Sequence, residues 1–282
     1  MVYIRAKKVK GDQYLYLVKS IWDSKKNTSK QEIVKYLGKS DKVVKDDIPI
    51  EYREDPKILS ALSSHNPEDI KKREEIVDKS RKNLYKKLTD GDIHSSLKLY
   101  EDFIKIFSIA DFFDRILKPV MYKIGDDWAT NKISIATEHV ASNVAQTLVK
   151  IIMDRENTIK AKKKIMICVP IGEEHHLGCD VIQTYLTSKG YKVFNMRTSM
   201  PTESLLNFIE NNKPDIIMIS ITLDDNLKAG QRLVKKINEN YKIPIIVGGY
   251  AFTNKKMPKI DADVFKDSSL DELPKIIRTA IS

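Results

Sequence analysis

The chain reads as an α/β protein: a helix bundle precedes a doubly wound parallel sheet, and a small β-rich unit stands at its head. Three observations carry this reading. Beyond residue 160, five short, almost uninterrupted apolar runs alternate with amphipathic helical stretches. From 92 to 157, apolar residues recur every three or four positions. From 1 to 39, aromatic and β-branched segments are separated by turn residues.

In chain order, "QYLYLVKSIW" and "QEIVKYLG" flank the polar turn "DSKKNTS", so residues 1–39 predict a meander of about three strands. Residues 40–91 are charged and contain Pro49, Pro56 and Pro67. They predict a linker running into a helix, with Asn66 as N-cap and Pro67 at the first helical position. Residues 92–157 predict a four-helix bundle. The strands are expected at "KIMICVP", "KVFNM", "DIIMISIT", "IPIIVGG" and "ADVFKD" within 160–282, with helices between them. Near-continuous apolar strands joined by helices indicate a flavodoxin-like, Rossmann-type sheet buried on both faces.

Composition narrows the function classes. No stretch is apolar for the length a membrane span needs, and no signal-type leader opens the chain, so a cytoplasmic protein without membrane partners is expected. The two cysteines, Cys168 and Cys179, read as reduced thiols. Residues 1–39 hold ten basic residues against three acidic ones, most of the chain's net +10. Such a unit suits phosphates or acidic lipid, or is simply a solubilising surface. Tyr3, Tyr14, Tyr16, Trp22 and Tyr36 lie among its lysines, which suits DNA contact through phosphates and stacking. No phosphate-binding glycine loop, zinc-type Cys/His spacing or G-x-S-x-G elbow appears, so no catalytic constellation is expected.

In doubly wound sheets, ligands bind beyond the carboxyl ends of the strands, where strand order reverses. The loop after the first parallel strand, "IGEEHHLG", falls there and carries Glu173, His175 and Gly178 as E-x-H-x-x-G. Ser220 and Thr222 follow the third strand, and Gly248-Gly249 the fourth. A metal-ligating imidazole gives one nitrogen to the metal and its other N–H to a carboxylate, which Glu173 could supply. His176 reads as a loop histidine.

These residues resemble the D-x-H-x-x-G motif of cobalamin-binding domains, in which the histidine replaces the cofactor's own base beneath cobalt. The resemblance implies cobalamin binding, with His175 as lower cobalt ligand and room beside Gly248 and Gly249 for the displaced nucleotide tail. Three positions depart from the pattern. Glu173 replaces aspartate, Thr222 replaces a leucine, and Arg197 stands where relatives carry glycine.

In the bundle, Trp128 is followed after nine residues by Glu138-His139, with Ser134 placed to cap the helix between them. This W-x(9)-E-H spacing resembles that of CarH-type adenosylcobalamin photoreceptors. The resemblance implies that Trp128 and Glu138 hold the upper adenosyl group and that His139 takes cobalt after photolysis. It also implies a homo-oligomer that switches gene expression. The usual MerR-like N-terminal domain is missing from the pattern. The alternative is a corrinoid protein of a methyltransferase system, which also pairs a helical cap with this domain and carries a methyl group.

Overall fold

The computed structural model describes residues 2–23, 28–65, 67–155, 163–253, 259–266 and 268–281. The middle of the expected polar turn (24–27), the cap at Asn66 and the bundle–sheet junction over 156–162 lie outside them. The chain forms two compact units, Met1–Lys79 and Ser80–Ser282.

In the first unit, β1 (Val2–Val9), β2 (Asp12–Asp23) and β3 (Thr28–Lys39) form an antiparallel sheet in the order β1-β2-β3. Lys10 and Gly11 connect β1 to β2, both with positive φ (51° and 91°). That two-residue geometry matches the twist of the flanking strands. Ile4, Leu15, Leu17 and Leu37 form the sheet's apolar face, and Val43, Ile48, Ile58 and Leu62 pack against it. The last two belong to α1 (Pro56–Ser63). Much of the segment expected as a charged linker therefore completes this core; its few apolar side chains are spaced too irregularly to signal an element.

The second unit begins within α2 (Pro67–Thr89). Its helical cap continues with α3 (Ile93–Phe103) and a continuous helical stretch made of α4 (Ile109–Asp111), a π-helical segment Phe112–Leu117 and α5 (Lys118–Ala129). The α6 helix (Ile135–Arg155) packs on α3 and α5. Pro119 has no N–H for the Arg115 carbonyl four residues back. The Arg81 guanidinium donates to that carbonyl instead, at 2.6 Å. Tyr100, Phe103, Phe107 and Phe112 form an aromatic core, with ring centroids 4.4–5.9 Å apart.

The remaining elements are β4 (Lys164–Cys168), α7 (Leu177–Ser188), β5 (Lys192–Asn195), α8 (Thr202–Asn212), β6 (Ile216–Ser220), α9 (Leu227–Asn240), β7 (Ile245–Gly248), β8 (Asp263–Phe265) and α10 (Leu273–Ile281). The five strands pair in parallel in the order β5-β4-β6-β7-β8. This is the flavodoxin-like order, and the chain reverses direction across the sheet between β4 and β6. No helix among the described residues is long and apolar enough to cross a membrane.

Cap and sheet are joined directly. The α6 helix packs on α7, and Asp114 accepts the Leu270 N–H at 2.7 Å. The rings of Tyr122 and Tyr250 lie 4.6 Å apart. Burial raises the Tyr122 hydroxyl's pKa to about 12, and Tyr250 adds to the shift.

Candidate functional site

The loops after β4 and β6 leave the sheet on either side of the switch point, and one side chain ties them together. Glu173 is fully buried. Its Oε1 accepts the His175 backbone N–H at 3.1 Å and lies 2.7 Å from His175 Nδ1. Its Oε2 accepts the N–H groups of Thr222 (2.8 Å) and Leu223 (3.0 Å) and the Asn226 side-chain amide (3.1 Å). Burial alone would raise this carboxyl's pKa. The donors from His175, Leu223, Asn226 and Thr222 reverse that and hold it down at about 2. Glu173 is therefore a carboxylate in a dry pocket, satisfied on both oxygens.

This fixes the imidazole. The Nδ1 of His175 faces an ionised acceptor and carries the hydrogen, so in the neutral ring Nε2 keeps its lone pair. The side chain is 56% exposed, on the side away from Glu173. The Glu173 hydrogen bond raises the His175 pKa against the effect of burial, and the charges of Glu173, Glu138 and Glu174 add to the rise. Glu138 belongs to the cap, so a charge on the cap acts on this histidine. His176, by contrast, starts α7; its Nδ1 lies 3.1 Å from the Glu174 carbonyl, and Asp180 Oδ2 is 3.9 Å from Nε2.

On the cap, Ser134 Oγ accepts the Thr137 N–H at 3.1 Å and starts α6. Glu138 is held by two contacts: Ser142 Oγ donates to it at 2.6 Å, and His139 Nδ1 lies at 2.7 Å. The His139 side chain is otherwise largely exposed. Trp128 ends α5 and is 46% exposed. The turn between these residues is organised by Asp127, which the sequence reading does not single out. Tyr85 Oη and Lys123 Nζ each donate to its carboxylate at 2.9 Å, and its carbonyl accepts the Lys132 N–H at 2.7 Å. The hydrogen bonds from Lys123 and Tyr85 hold the Asp127 carboxyl below the usual carboxylate range.

The small residues divide into two kinds. Gly178 and Ser220 face each other across the crevice, and a methyl group at Gly178 would meet Ser220 Oγ at an ordinary 3.7 Å. Beside Ser220 lies Cys179, a buried free thiol whose pKa burial raises to about 12. Gly248 and Gly249 answer to the chain itself. A methyl at Gly248 would sit 3.2 Å from the Phe265 carbonyl, and one at Gly249, whose φ is 115°, would overlap the Ile221 backbone. Their missing side chains allow close backbone packing. Gly249→Ala is expected to destabilise the protein by about 3 kcal/mol in urea denaturation. A loss below about 1 kcal/mol would contradict this packing.

Thr222 enters the site through its backbone N–H, so the departure from leucine leaves the contact unaffected. Arg197 has a left-handed φ of 56°, the conformation a glycine would take without strain. Its Nε donates to the buried Asp180 carboxylate at 2.9 Å, which anchors it there.

Comparison with known proteins agrees with this layout. A family model described as B12 binding domain matches residues 163–268, and a second model of the same description matches residues 80–153. Trimethylamine corrinoid protein 1 of Methanosarcina acetivorans is 21% identical over 213 residues, covering 72% of this chain and 96% of that protein. The HTH-type transcriptional repressor CarH of Myxococcus xanthus is 21% identical over 141 residues, covering 49% of this chain and 47% of that protein. The structure of Methanosarcina barkeri monomethylamine corrinoid protein superposes with a TM-score of 0.60 at 16% identity, over 71% of this chain and 97% of that one. The match to CarH is distant and spans less than half of that protein, so the photoreceptor branch is not singled out. The corrinoid protein is matched along nearly its whole length.

Proposed function

We propose that this chain is a corrinoid protein of a methyltransferase system, binding cobalamin between cap and sheet and carrying a methyl group between partner proteins. The observation that carries the reading is the Glu173–His175 pair, with its single imidazole Nε2 aimed out of the switch-point crevice. Among the described residues, no group of three or more His, Cys, Asp or Glu could hold a metal ion. A lone imidazole would suit a metal that brings its other ligands with it, and His175 would hold it through Nε2. The small residues Gly178 and Ser220 line the crevice where such a cofactor's tail would enter.

When bound, the cobalt supplies the chemistry of making and breaking a bond to an upper alkyl ligand. The chain's residues do the rest. Glu173 fixes the tautomer of His175 and enriches its Nε2 as a donor from below. Glu138, steadied by Ser142, sets the charge of the upper surface beside His139. The carrier reading draws support from corrinoid proteins matched along most of their length.

One feature favours a second reading. Trp128, Glu138 and His139 stand at the spacing that goes with an adenosyl upper ligand and a light response, so adenosylcobalamin sensing is the competing function. Reconstitution in the dark with methylcobalamin and, separately, adenosylcobalamin distinguishes them. The carrier reading expects comparable affinities, no change of oligomeric state on illumination by size-exclusion chromatography, and unchanged methylcobalamin affinity in His139→Ala. A preference for adenosylcobalamin above about tenfold, with a light-driven change of assembly that His139→Ala abolishes, would replace it with the sensor.

A further inference from the structure

We propose that the outer face of the N-terminal sheet is a binding platform for single-stranded nucleic acid, a function separate from the cobalamin site. The sheet is two-sided. One face is closed by the unit's own core of Ile4, Leu15, Leu17 and Leu37. On the other, strand register sets Arg5 opposite Tyr16 and Tyr16 opposite Tyr36, and sets Lys7 opposite Tyr14 and Tyr14 opposite Lys39. A bulge between Leu15 and Tyr16 allows this arrangement, keeping Leu37 in the core while Tyr36 faces out.

The three tyrosines form a cluster. Tyr16 and Tyr36 have ring centroids 5.1 Å apart, Tyr14 and Tyr36 6.4 Å, and Tyr36 is 52% exposed. A solvated β face ordinarily carries polar side chains, so three grouped rings there need another reason. Charge indicates what lies over them. Arg5 donates to the neutral Gln31 amide at 2.8 Å, and among the described residues no ion pair involves Arg5 or Lys7. Lys39 is bridged to Asp12 at 2.9 Å and contributes less. Cations bordering aromatic rings suit a ligand alternating phosphates with flat bases. A duplex hides its base faces inside the stack, whereas unpaired bases offer them to the rings.

Fluorescence anisotropy of the full chain with a labelled oligothymidylate of about 20 nucleotides, and with a duplex of the same length, tests this. The single strand should bind more tightly than the duplex. Tyr16→Ala with Tyr36→Ala should weaken binding about tenfold or more, while the corresponding phenylalanine pair, which keeps the rings, should bind like the parent chain. Arg5→Ala with Lys7→Ala should reduce the slope of log affinity against log salt by about 1.4. Cobalamin affinity should be unchanged in every variant, which separates this proposal from the carrier reading. Tighter binding to the duplex, no binding at low salt, or equal losses in the alanine and phenylalanine pairs would overturn it.

Discussion

Replacing His175 with alanine should leave the fold intact and weaken cobalamin binding about 100-fold or more. The imidazole is half exposed, and its one strong contact inside the protein is with Glu173, which keeps its four other donors, the residue 175 backbone N–H among them, when the ring is gone. Little folding free energy therefore depends on it. The affinity does, because the neighbouring His176 has no carboxylate within hydrogen-bond distance: Asp180 Oδ2 lies 3.9 Å from its Nε2, and its Nδ1 is 3.1 Å from the Glu174 carbonyl. Equilibrium titration followed by the visible spectrum measures the effect. Residual binding should show a cofactor without a protein nitrogen beneath cobalt, and free imidazole should restore part of the parent spectrum. Unchanged affinity in His175→Ala would remove the histidine from the site.

The second large effect is expected at Glu173, on stability as well as binding. Glu173→Ala leaves the N–H groups of His175, Thr222 and Leu223 without their acceptor, and leaves the Asn226 amide only the Gly172 carbonyl at 3.4 Å. Each orphaned buried donor costs about 1–3 kcal/mol, so a total of about 3–5 kcal/mol is expected after partial relaxation. Urea denaturation of the cofactor-free protein reads this loss. Glu173→Gln should fall between the parent and the alanine variant, since its amide keeps one accepting oxygen and turns a donor toward other donors. The alanine variant should also bind cobalamin about 10- to 100-fold more weakly, because the His175 tautomer is no longer held. A stability loss below about 1 kcal/mol would mean that Glu173 does not tie the two loops together.

The parallel sheet was legible in the sequence because strands buried on both faces must be apolar along nearly their whole length, and β4 after Lys164, β6 before Ser220 and β7 are. The switch-point loop was legible because its chemistry is local: Glu173 and His175 are two residues apart, and their hydrogen bond needs no distant partner. The rest of the carboxylate's environment depends on folding. Asn226 and the N–H groups of Thr222 and Leu223 reach Glu173 from about 50 residues away, and backbone donors leave no mark in residue type. Gly248 and Gly249 stood out in the sequence, but the close approach of the Ile221 and Phe265 backbones to them did not, since these lie on other segments. Asp127 carries no mark of its own in the sequence, because Tyr85, 42 residues away, and Lys123 converge on it only in the fold. The residues around Val43 and Ile48 show the opposite error, a charged stretch whose scattered apolar side chains prove to be core.

In the proposed complex, the His175 imidazole would bind cobalt in place of the cofactor's own base. Electron paramagnetic resonance of the reconstituted protein, reduced to its cobalt(II) form, tests it directly. One axial nitrogen of spin one splits each high-field cobalt line into a triplet. In protein grown on histidine labelled with nitrogen of spin one-half, the account predicts that each triplet becomes a doublet, and that His175→Ala shows no histidine-derived splitting. A triplet that persists in the labelled protein would place the cofactor's own base on cobalt and contradict the account.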